Sequence, residues 1–211
     1  MAYISLSNSK MIKSGNDTAI VGSFGITPVK TCIGAGACKN GCYACSGRYL
    51  FKNVKNKMSE RYELTLTDNF IPVIDTEIKK LVVKNPTKTV YIRIHDTGDF
   101  YNSEYVEKWF KVMELNPTVK FYAYTKSIVL FKVFETMPDN FKVIYSYGGI
   151  HDELINPDVD PNARVFGSLD ELLKAGYVDC SDNDLLVFTT DKVGLVYHGS
   201  KKYENTGFNQ N

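Results

Sequence analysis

The chain lacks an excess charge of either sign: 25 Lys and Arg against 24 Asp and Glu leave a net +1. No global field therefore draws it onto nucleic acid or an acidic membrane. Long hydrophobic runs are missing too. No stretch approaches the ~18 apolar residues of a membrane span, and the start, MAYISLSNSKMIKSGND, lacks the unbroken apolar core of a secretory signal. The expected partners thus exclude a membrane, and the expected compartment is the cytoplasm. There is no low-complexity linker and no internal change of composition, so residues 1–211 read as one domain. In a reducing compartment five cysteines do not make a disulfide framework.

What the sequence does contain is alternation. From Lys84 onward a helix ends, an Asn-Pro or Met-Pro turn follows, and a strand rich in Val, Ile, Tyr and Phe begins: NPTKTVYIRIHD, NPTVKFYAYTK, MPDNFKVIYSYGG. Strands are expected near residues 18–23, 89–95, 119–125, 142–147, 163–166 and 185–190. Between them, Ser103 can cap a helix carrying Val106, Phe110 and Met113, and Ser127 one carrying Leu130, Phe134 and Met137. Ser168 and Glu171 form a capping box, with Gly176 as the stop. Ile71, Ile74, Ile78 and Leu81 share one helix face, which Pro72 can enter only in its first turn. Strands alternating with helices predict an α/β fold, a mainly parallel sheet of about six strands curled into a partial (βα)6 TIM-like barrel. LLVFTTDKVGLVYHG reads as a C-terminal hairpin turning at Asp191-Lys192. Residues 150–162 read as an acidic surface loop, and KKYENTGFNQN as a frayed end.

Four of the five cysteines lie within fourteen residues, Cys32, Cys38, Cys42 and Cys45, in a loop over residues 31–46. Their C-x5-C-x3-C-x2-C spacing can surround one compact iron–sulfur cluster. Gly34, Gly36 and Gly41 would let the backbone curl and aim N–H groups at sulfide. Structural zinc also uses four thiolates and is the alternative, although zinc sites more often come as two separated C-x2-C knuckles. GAGACKNG is not a dinucleotide loop, because its third glycine is misplaced. Cys180 stands alone and reads as a small buried hydrophobe.

Cys38, Cys42 and Cys45 alone spell C-x3-C-x2-C after the first strand, and in this the chain resembles the radical S-adenosylmethionine (SAM) superfamily. The resemblance implies a [4Fe–4S] cluster on three cysteines whose free iron chelates SAM. It further implies a Gly-Gly-Glu-Pro-like turn after the second strand that meets the SAM amino group. Thr97-Gly98-Asp99-Phe100 stands there, so Gly98 and Asp99 are the candidate contacts; Ala44 replaces the usual aromatic before the last cysteine, with Tyr43 one place earlier. The combination RIHDTGDFY…FYAYTKS with this loop is also similar to a small group of bacteriophage iron–sulfur proteins, implying a viral origin and the host cytoplasm.

In parallel α/β folds ligands collect at the carboxyl ends of strands. His95, Lys126 and Ser146 stand there, His95 and Lys126 as expected contacts to an anionic group, with Asp96 orienting His95. If Cys32 closes the cluster as fourth ligand, SAM cannot chelate and the protein is an electron carrier, sensor or binding module. If Cys32 stays away, SAM cleavage to a 5′-deoxyadenosyl radical is open. A third class, a nucleic-acid-binding module, rests on Arg48, Lys52, Lys55, Lys57 and Arg61 near Tyr43 and Tyr49. The sequence names no substrate and no host or phage protein partner.

Overall fold

The structure is a computed structural model that describes residues 2–197. Seven strands, β1 (Ala19–Phe24), β2 (Thr89–Ile94), β3 (Lys120–Thr125), β4 (Phe141–Ser146), β5 (Asn162–Phe166), β6 (Val178–Asp179) and β7 (Lys192–Val196), form one sheet ordered β1-β2-β3-β4-β5-β7-β6. Every neighbouring pair is parallel. The sheet curls into an open half-barrel, as the alternation predicts.

The pattern of TVYIRI shows how the layers arise. Val90, Ile92 and Ile94 are buried toward the outer helices, while Tyr91 and Arg93 point to the concave side. Against the convex face pack α3 (Phe70–Lys84) and α4 (Ser103–Glu114). Helix α3 buries Phe70, Ile74, Ile78 and Leu81, and Pro72 occupies its third position, where no intrahelical N–H bond is forfeited. Trp109 of α4 is fully buried edge-on between Phe24 and Phe70, with ring centroids 5.3 Å from each. An aromatic anchor of this kind is worth roughly 2–3 kcal/mol of burial.

Several expectations near the termini and in the fifth helix are corrected. The helix after β3 is only α5 (Ile128–Lys132); Ser127 Oγ donates to the Phe100 carbonyl at 2.6 Å instead of capping it. Phe134 leaves the helix to pack on Phe110, centroids 5.1 Å apart. Residues 185–190 are not a strand. Asp184–Phe188 is a 3₁₀ helix, started by the Asn183 side chain accepting from Leu185 N at 3.0 Å. Nor is there a hairpin at Asp191-Lys192, because β7 leaves that turn to run parallel to β5 and β6. The far end of the hairpin reading, and KKYENTGFNQN, lie outside the described residues.

Two elements not expected from sequence, α1 (Ser9–Ser14) and that 3₁₀ helix, fill the concave side of the sheet over Tyr122, Ile144, Ala163 and Val193. They come from opposite ends of the chain and meet directly, Asp184 N donating to Ser14 Oγ at 2.8 Å. Helix α2 (Lys52–Thr65) follows the cysteine loop, and α6 (Leu169–Lys174) begins at Ser168, whose side chain accepts from Glu171 N as expected. Among the described residues no helix is long and apolar enough to cross a membrane.

Candidate metal centre

The cysteine loop leaves the carboxyl end of β1 and crosses the carboxyl ends of β3 and β4. Main chain holds it there. Gly36 N and Cys38 N donate to the Gly148 carbonyl at 3.2 and 3.4 Å, Ile150 N donates to the Gly34 carbonyl at 3.0 Å, and Ala35 bridges Gly149. Asp152 fixes the receiving turn by accepting from Gly148 N and Gly149 N at 2.8 and 2.9 Å. The stretch after Ile150 is therefore more than a solvated loop.

This docking explains two glycines differently from the expectation. A Cβ at Gly34 would lie 1.9 Å from the Lys126 carbonyl oxygen, and one at Gly36 would lie 2.7 Å from the Gly149 oxygen. Both glycines permit backbone to touch backbone, and the Gly36 N–H is used on Gly148 rather than aimed at a sulfide.

Three of the thiols, Cys32, Cys38 and Cys42, lie within electrostatic reach of one another, and Cys45 joins them through Cys42. Cys42 contacts Cys45 and senses Cys38, and Cys32 senses both Cys42 and Cys38. Burial pushes the Cys32 thiol up to about 12, with the nearby Asp99 charge adding to it. Burial likewise raises Cys38, opposed by the Lys126 ammonium, and raises Cys42. Cys45 is exposed. Among the described residues no three Cys, His, Asp or Glu side chains converge closely enough to hold a single metal ion.

The predicted site residues divide. Asp99 and Lys126 sit beside Cys38, and Ser146 accepts from Lys126 Nζ at 2.6 Å. Gly98 has φ +79°, and a Cβ there would strike Ile26 and Thr31 at 2.6 and 2.7 Å. The Asp99 carboxylate accepts from Thr125 Oγ1, Lys126 N and Phe100 N at 2.7, 2.8 and 2.8 Å, so it staples the end of β2 to the end of β3. Burial raises its pKa all the same.

His95 does not join them. Its φ of +65° turns the imidazole into the helix layer, 4.4 Å from the Phe100 ring, with Nε2 3.0 Å from Tyr105 O–H. Burial and the Arg93 charge push its pKa down to about 3, a neutral packing group rather than an anion contact. Asp96 does not orient it; that carboxylate accepts from Asn8 Nδ2 and Ser23 Oγ at 3.0 and 3.1 Å. Cys180 is fully buried beside Val187 and Val193, as expected of a small hydrophobe. Arg61, counted with the surface bases, is buried at 9% exposure and faces Asp96 and Glu77.

A sequence model of the family described as Gene product 88 matches residues 3–210. The chain belongs to the Gene product 88 family. It is 30% identical over 143 residues to the Gene 88 protein of Mycobacterium phage L5, a match covering 60% of this chain. The chain spans about 59% of the length of that curated relative. The bacteriophage relationship is thereby shown, and no solved structure matches the chain.

In this Gene product 88 chain the concave side holds a polar centre that sequence reasoning missed. Asp184, with 0% exposure, receives Lys10 at 2.7 Å, Arg93 at 2.8 Å, Tyr122 O–H at 2.9 Å and Tyr124 O–H at 3.3 Å. Arg93 and Lys10 hold its carboxyl below the usual range against the cost of burial. The one available signal was an arginine at an inward position of TVYIRI. Between this centre and the cysteine loop lies a cavity of about 640 Å³, with Cys42 and Cys45 on one wall and Arg93, Lys10 and Asp96 on the other.

Proposed function

We propose that this phage protein carries a [4Fe–4S] cluster bound by Cys32, Cys38, Cys42 and Cys45, on a radical-SAM-like half-barrel working in the host cytoplasm. What supports the reading is the C-x5-C-x3-C-x2-C spacing on a loop fastened by main chain across the carboxyl ends of β3 and β4, with Cys32 and Cys38 near Cys42, and Cys45 in contact with it. Thiols raised by burial are protonated at neutral pH, and a cluster's cationic irons supply the charge that stabilises thiolates there. Bound there, the cluster would supply one-electron transfer or sensing. Zinc is disfavoured by the spacing, since its sites more often come as two separated C-x2-C knuckles.

Cys32 lies near Cys38 and Cys42, which favours it as the fourth ligand. A thiolate already on the chain has a high effective concentration, so free SAM competes poorly for that iron. Asp99 also has both carboxylate oxygens occupied by the protein, which weakens its candidacy for the SAM amino group.

Protein purified anaerobically is expected to be brown, with broad absorbance near roughly 400 nm from sulfur-to-iron charge transfer. Colourless protein with stoichiometric zinc ends the reading. Wild type and Cys32→Ala, reconstituted side by side and titrated with SAM, separate the cluster's two forms. A spectral response to SAM only in the variant supports closure by Cys32; binding and reductive cleavage by wild type make it a SAM enzyme.

A further inference from the structure

The cavity beneath the cysteine loop has a charge census that the fold leaves unbalanced. Lys10 and Arg93 share one carboxylate, Asp184, and Lys39 adds a third cation at the rim. Asp96 is the other acid on the wall, and it is already drawn to Arg61 on its far side. Arg93 is largely buried, with NH1 committed to Asp184. Three cations against two acids around one cavity leave a positive excess that an anion would answer. The remaining walls include the apolar Val165 and Leu195. At about 640 Å³ the space is that of a nucleotide-sized molecule.

We propose that this cavity binds a small organic anion, its phosphate or carboxylate group held among Lys10, Lys39 and Arg93 and its body lying against Val165 and Leu195. The Asp184 hub draws Arg93 and Lys10 to one point, and with Asp96 also on the wall the single positive excess is carried by Lys39 at the opening. Planar guanidinium geometry suits either acid group. The site does not need the cluster, since none of its cations comes from a metal.

The test is calorimetric titration of the full chain, as isolated anaerobically, with inorganic phosphate, AMP and benzoate at constant ionic strength, and with adenosine as the uncharged counterpart of AMP. Saturable binding of at least one of the three anions is expected, with adenosine weaker than AMP. AMP against benzoate tells a phosphate site from a carboxylate site. Lys39→Gln, an exposed position, should weaken the bound anion about fivefold, and Lys57→Gln on α2 should leave it unchanged. Arg93→Lys, which keeps the charge but not the fork, should weaken it further. No saturable binding by any of the three anions, or equal binding by wild type and Lys39→Gln, overturns the proposal. Loss of colour in the cluster experiment leaves these binding results standing.

Discussion

Replacing Gly34 by alanine places a methyl group 1.9 Å from the Lys126 carbonyl oxygen, 2.4 Å from its carbon and 2.8 Å from Ser127 N. All three obstacles are main chain at the end of β3, so no side chain can swing aside. The loop must lift. Forced overpacking costs about 1–3 kcal/mol, and losing the Ile150 N–H to Gly34 carbonyl bond, 3.0 Å long, costs about 1 kcal/mol more. Stiffening the unfolded chain offsets roughly 0.4–1 kcal/mol of this. A net loss of about 2–3 kcal/mol remains, a fall of about 1 M in the urea midpoint for a chain this size. The comparison is Gly47→Ala, where the added carbon meets nothing and only the φ of +53° resists, at a cost of about 1–2 kcal/mol. Urea unfolding followed by circular dichroism checks both. Gly34→Ala unfolding at the wild-type midpoint would refute the docking account.

Asp184→Asn should destabilise by about 3–5 kcal/mol, because it leaves Lys10 and Arg93 buried without their shared counter-charge; denaturant unfolding reads this directly. Its carboxyl pKa is lowered by folding, so its contribution is fully present above the ordinary carboxylate value and is lost as pH falls through the folded one. The acid limb of the stability curve should therefore be shallower in the Asn variant. His95 works in a different window. Its folded pKa of about 3 against an ordinary 6.5 means the unfolded chain takes up the proton first, so stability falls as pH drops from 6.5 toward 3. His95→Phe should flatten that slope, and nitrogen NMR of the imidazole should find it neutral at pH 5. Asn140 Nδ2 donates to the carbonyls of Met113, Asn116 and Val119 at 3.1, 3.0 and 3.0 Å. Asn140→Ala should cost about 2–3 kcal/mol in thermal or urea unfolding.

The legible parts of the fold were those set by short-range chemistry. Asn-Pro turns before aromatic strands located β2 and β3, Pro72 fixed where α3 begins, and the Ser168 capping box fixed α6. Failures came where a distant partner decided. Leu185 to Thr190 has the residue types of a strand, yet a buried Asp184 bound by α1, β2 and β3 winds that segment into a 3₁₀ helix. His95 follows β2 as a ligand-contacting residue would, and a positive φ, which nothing local announces, sends it the other way. The cysteine spacing was legible as a candidate cluster loop, and the structure places Cys32 and Cys38 near Cys42 and Cys42 against Cys45. The reason for its glycines lay in the turns after β3 and β4, far along the chain.

The meeting of Ser14 with Asp184 spans 170 residues, and this sets an order of events during synthesis. A ribosome adding about 5–20 residues per second needs about 9–34 s to make that stretch. Throughout that interval α1 has no 3₁₀ helix to lie against, and the inner face of the growing sheet stands open beside cysteines already made. The loop is thus complete, and its thiols accessible from the inner side, well before the concave face is filled.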